Sequence, residues 1–134
     1  MTPIMIRVDE LEIPAALDEN SVCAKKILDA LPITARANRW GEEFYFDIGL
    51  AADLEPEART EMAVGELGYW PTGQALCIFF GPTPASSGET PIAASEVNPV
   101  GRIEADALLI SALRSKPEHC RIQIELKMTH HGDK

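Results

Sequence analysis

Trp40, Glu42, Glu43, Tyr69 and Trp70 are the side chains in this 134-residue sequence with the types and spacing for recognition chemistry. Trp and Tyr combine a large apolar surface with one polar handle, which suits a peptide or a small amide ligand. Glu42 and Glu43 offer carboxylates for a general base or an amine contact. Neighbours in a strand face opposite ways, so at most one of the two glutamates serves a given pocket. The candidate ligand-binding set is therefore Trp40, Glu43, Tyr69 and Trp70. The competing reading makes the tryptophans core plugs and the glutamates solvated surface charges.

No catalytic set assembles around these residues. His119 opens a strand, His130 and His131 lie in the tail, and Ser86 and Ser87 sit in a loop, so a Ser-His-Asp arrangement has no support. Adjacent tail histidines are poor material for a closed metal site, and Cys23, Cys77 and Cys120 lack paired zinc spacing. They read as unpaired core thiols, one on each of three separate elements. Gly81-Pro82-Thr83-Pro84 lacks the glycine spacing of a phosphate cradle. No cofactor and no metal are called for.

Composition narrows the partners. Twenty-one acidic residues against 12 Lys and Arg give a net charge of -9, which a polyanion meets as repulsion, so nucleic acid is excluded. The acids between Glu42 and Glu66 predict an acidic surface opposed by Arg59 alone. No apolar stretch approaches the roughly 18 residues of a membrane span, and no signal-like segment opens the chain. A cytoplasmic protein is expected, with a small molecule or peptide as its partner. Its oligomeric state is not encoded in any visible pattern.

The elements that must position the candidates follow from periodicity. Residues 3–8 and 11–17 alternate as a β-hairpin, with Pro14 predicting an edge or a bulge in the second strand. Asp18 to Ser21 cap a helix whose Ala24, Ile27, Leu28 and Leu31 form a stripe ended by Pro32. Strands are predicted over 33–39, 43–48, 62–64, 67–70, 76–80 and 97–103. The run 76–80 is apolar on both faces, and 81–95 is a long loop. Asp106 caps a second helix with Leu108, Leu109, Ala112 and Leu113 on one face. The last strand places Cys120, Ile122, Ile124, Leu126 and Met128 on one side and Arg121, Gln123, Glu125 and Lys127 on the other. The length suits one core, burying roughly two thirds of the unfolded chain's surface. Eight or nine short strands with two short helices and no strand-helix rhythm predict a mainly β fold. A closed antiparallel barrel with helices at its ends satisfies them best. The domain should span residues 1–128, with 129–134 a disordered tail.

The motifs Trp40-Gly41-Glu42-Glu43, Gly68-Tyr69-Trp70-Pro71, Gly81-Pro82-Thr83-Pro84 and Val97-Asn98-Pro99-Val100-Gly101-Arg102-Ile103 add a resemblance. Over nearly its whole length the chain resembles the small prokaryotic cyclophilin-like family of uncharacterised proteins. The resemblance implies a closed eight-stranded cyclophilin-like β-barrel. It does not imply proline isomerisation. If the Pro-Thr-Pro and Gly-Arg-Val segments of cyclophilins proper are laid on 82–84 and 101–103, their active-site glutamine falls on Ala75. Their arginine-bearing segment has no counterpart, Arg39 being the nearest arginine. The function expected from the candidate residues is a non-catalytic peptide or small-ligand binding module. The alternatives are an isomerase with a rearranged site, or a subunit related to the allophanate and oxoproline cyclic-amide hydrolases, which contain similar barrels.

Overall fold

Alternation of apolar and polar residues sets the strands, and the pairing of the chain's two ends sets their arrangement. The computed structural model describes residues 1–127. The strands are β1 (Thr2–Val8), β2 (Leu11–Leu17), β3 (Ile33–Arg39), β4 (Glu43–Asp47), β5 (Arg59–Glu61), β6 (Glu66–Trp70), β7 (Ala75–Phe79), β8 (Ile92–Ile103) and β9 (His119–Leu126). The helices are α1 (Val22–Ala30) and α2 (Ala107–Arg114). Both carry the caps expected from sequence: the Ser21 side chain accepts from the Ala24 amide, and Asp106 accepts from the Leu109 amide. The predicted tail over 129–134, its histidines and the inward face of Met128 lie outside the described residues.

The pairings are antiparallel and run β2-β1-β9-β3-β4-β7-β6-β8. Strand β8 then returns to β2 through Ala15↔Ile103, Ala16↔Arg102 and Leu17↔Gly101, so eight strands form a ring with β5 attached to β8 outside it. The fold is mainly β, as expected. Strand β2 is paired on both flanks rather than lying at an edge, because its seam with β8 begins at Ala15, one residue past Pro14. The proline therefore interrupts no ladder there.

Apolar residues pack on both sides of the ring. The larger cluster includes Ile4, Ile6, Ile13, Phe44, Phe46, Leu67, Tyr69, Leu76, Ile78, Ile122 and Ile124, with Cys23, Ala24 and Ile27 of α1 and Ile110 and Leu113 of α2. A smaller cluster holds Met62, Cys77, Phe79, Ala93 and Val97, with Tyr45 and Trp70 packed against it. Strand β7 is buried along its whole length, as the apolar run predicts, and its alternate residues feed the two clusters.

Four details differ from the periodicity. Residues 62–64 are not a strand: β5 precedes them, and Met62 turns into the smaller cluster. The loop predicted over 81–95 gives way to β8 at Ile92. In α2, Leu109 and Leu113 of the predicted stripe pack on the core, but Leu108 is 84% exposed and Ile110 faces inward, so the buried face is rotated toward Ile110. Leu126 ends β9 at the rim, 51% exposed. Cys23, Cys77 and Cys120 are free and buried on α1, β7 and β9.

Candidate functional site

The outer faces of β4, β6, β7 and β8 carry the site. In β4 the inward residues are Phe44 and Phe46, so Glu43 and Tyr45 face out. In β6 Tyr69 faces in, 0% exposed, and its hydroxyl donates to the Leu50 carbonyl, so Trp70 faces out. Cys77 follows from β7, and Ala93 and Val97 from β8. Gly68 makes room for this packing, since a Cβ there would lie 2.8 Å from Val97 Cγ2 and 3.3 Å from Met62 Cε.

These residues line a hollow of about 190 Å³ together with Trp40 and Ala94. Its floor is buried: Glu43, Cys77, Ala93 and Val97. Its walls are the half-buried Trp40, Tyr45 and Trp70. Trp70 meets Tyr45 edge-on, with centroids 6.3 Å apart, and its Nε1 donates to Ser95 Oγ at 2.6 Å, which fixes the indole. Trp40 is held by a turn. Its amide donates to the Glu43 carbonyl at 2.9 Å, and Gly41, at φ +62, seats against Thr83 and Pro84. Thus Trp-Gly-Glu-Glu and Gly-Pro-Thr-Pro pack on each other, further joined by Glu42 N–H to the Pro82 carbonyl.

Glu43 is the chemically distinctive member. It is 5% exposed, and its Oε1 is the single buried side-chain nitrogen or oxygen among the described residues with no hydrogen-bond partner. Burial pushes its carboxyl up to about 7, with the Cys77 thiol exerting a smaller opposing influence. Cys77 itself is raised by burial and by the carboxylate beside it, so it stays a thiol. Glu42 points away and pairs with Arg114 Nε at 2.9 Å.

The raised carboxyl sets a pH dependence. Folded Glu43 keeps its proton to about 7, while the unfolded chain releases it near the ordinary value of 4.5. Between these values the native state binds more protons, so stability falls as pH rises, by a total of about 3 kcal/mol. Between about pH 5 and about pH 8, wild type should lose ~2 kcal/mol more than Glu43→Gln in urea unfolding. Parallel pH profiles for the two proteins would contradict a buried, unpaired Glu43.

The structure thus brings Trp40, Glu43 and Trp70 together and leaves Tyr69 inside the ring. Tyr45, Cys77, Ala93 and Val97 join them, though none was a candidate ligand-binding residue. Tyr45 was detectable, two residues from Glu43 on the same strand face. A larger open hollow of about 1050 Å³ is lined by Glu55, Arg59, Glu61, Glu66, Glu89 and others. Several of its acids already have partners: Glu55 accepts from the Cys23 amide at 2.8 Å, and Glu66 pairs with Arg59. The smaller hollow, with an unsatisfied group and fixed aromatic walls, is the better site. Among the described residues no metal-ligating cluster is present, and no helix is long and apolar enough to cross a membrane.

A family model described as cyclophilin-like matches residues 2–125. A hypothetical protein from Archaeoglobus fulgidus, known from its solution structure, is similar at 32% identity and a TM-score of 0.75, over 94% of this chain and 95% of that one. No curated protein matches the chain.

Proposed function

The chain belongs to the cyclophilin-like family, and from that premise we propose that it is a non-catalytic binding module whose outer pocket takes a small molecule or a peptide side chain. The ring is then a barrel with α1 and α2 covering its ends, a rigid support for displayed groups. The observation that carries the reading is the orphaned Oε1 of Glu43 beneath three aromatic walls. A buried oxygen without a partner costs about 1–3 kcal/mol, and a bound ligand that donates to it recovers that cost.

Proline isomerisation has less support. It needs a donor placed to weaken amide resonance at the prolyl nitrogen. The Arg39 guanidinium instead donates to the carbonyls of Gly41 at 2.8 Å, Arg114 at 2.9 Å and Lys116 at 3.2 Å, tying β3 to the end of α2. Ala75, at the glutamine position, pairs with Trp70 and offers no polar group.

The test is tryptophan fluorescence against a fragment panel of neutral amides, carboxylates, aromatic alcohols and alkylammonium salts. A saturable change is expected with at least one class and is lost in Ala93→Phe, which fills the pocket from its floor. Indifference of wild-type emission to every class sinks the reading. A protease-coupled assay on a Xaa-Pro peptide should match an inert protein. Turnover lost in Trp70→Ala would put the isomerase first.

A further inference from the structure

We infer that the pocket ringed by Trp40, Tyr45 and Trp70 over Glu43 is a site for a small alkylated ammonium group, tertiary or quaternary. The inference rests on the binding-module reading above and deepens it by naming the ligand's chemistry.

Three features select that class. Aromatic faces attract a cation through the ring quadrupole, and tryptophan does so best. Here two tryptophans and a tyrosine form the walls, and Trp70 is held in place by Tyr45 and Ser95. Beneath them lies the buried, unpartnered oxygen of Glu43, whose ionised form needs a positive charge beside it. Among the pocket's lining residues no arginine, lysine or histidine supplies one.

The supply of acceptors then chooses between ammonium types. A primary ammonium brings three N–H donors that all need partners once desolvated. The pocket's side chains offer the Glu43 carboxyl and, on the wall, the Tyr45 hydroxyl, while neighbouring Ser95 is engaged by Trp70. A tertiary ammonium has one N–H, which Glu43 Oε1 can accept, and a quaternary one has none. Their methyl groups suit the apolar floor of Ala93, Val97 and Cys77. A volume of about 190 Å³ equals the liquid share of about six waters, enough for such a head group. The chain's net charge of -9 favours the approach of cations over anions.

The experiment follows the two indole N–H resonances of the full chain while trimethylammonium chloride, tetramethylammonium chloride or tert-butanol is titrated at constant ionic strength. Both cations should give saturable shifts at Trp40 and Trp70, with apparent affinity at least about tenfold above the neutral tert-butanol. Glu43→Gln should weaken trimethylammonium about tenfold, and Trp40→Leu several-fold, in variants whose remaining spectrum shows a native fold. Because Trp40 stands at a turn, its variant also covers a folding defect in the Glu43 one. Equal binding of tert-butanol overturns the inference. So do indole shifts reproduced by sodium chloride alone. Failure of the cations while another fragment class still binds removes the ammonium assignment and leaves the binding module standing. Silence from every class removes both.

Discussion

Ile124→Asp is expected to leave most of the chain unfolded at neutral pH, whereas Gln123→Asp keeps the native fold with a loss under about 1 kcal/mol. Ile124 is 1% exposed in the larger core, opposite Ile6 on β1 and Ile33 on β3. A carboxylate there finds no donor among those neighbours. The isoleucine's burial, worth about 1.5–3 kcal/mol, is lost as well. Together the two effects cost more than about 3 kcal/mol, a large share of the stability of a small domain. Gln123 instead lies opposite Arg7 and Thr34, outside the larger core, where an aspartate meets a guanidinium and water. Urea unfolding followed by circular dichroism separates the two. Similar midpoints would mean that the last strand's inward and outward faces are misassigned.

Gly101→Val should open the ring. The residue sits where β8 meets β2, opposite Leu17, and also opposite Leu67 of β6. A Cβ on Gly101 would fall 3.0 Å from Leu17 Cα and closer still to the Ala16 carbonyl oxygen. These are backbone atoms, so no rotamer change relieves the contact, and β2 must move away from β8. Overpacking at such a site costs about 3 kcal/mol. The control is Gly88→Val in the loop before β8, where an added Cβ meets nothing within 4 Å, and the cost should stay under about 0.5 kcal/mol. Hydrogen exchange adds a local readout. The amides of residues 15–17 should lose protection in Gly101→Val ahead of the rest of the sheet. Uniform protection with an unchanged midpoint would show the seam to be looser than its geometry.

Strand phase was readable where alternation ran strictly, except at the rim, where Leu126 is exposed. Cys120, Ile122 and Ile124 face in as their spacing predicts, and Phe44 and Phe46 do the same against Glu43 and Tyr45. The phase of α2 was readable only in part, at Leu109 and Leu113. Leu108, Leu109 and Ile110 are consecutive and apolar, and an eight-residue helix is too short to choose among them until the ring meets one side. Strand alternation separates Tyr69 from Trp70, so that adjacent pair could not share one pocket. Cys77, Ala93 and Val97 gave no warning. Small apolar residues carry no chemical signal of a site, and the pairings that assemble them join positions far apart in the chain. The orphaned oxygen of Glu43 was equally hidden, because a partner's absence is a property of packing.

The division of β7 between the two clusters bears on how such a chain can change over generations. Leu76 and Ile78 answer to the interior, while Cys77 and Phe79 answer to the outer cluster. Side chains on the two faces share no packing partners, so outer and interior substitutions couple only through the strand's own backbone. Drift in the outer set can reshape the outer hollow while the inner set goes on specifying the same ring. Relatives of equal shape are then expected to diverge first in the residues that line that hollow.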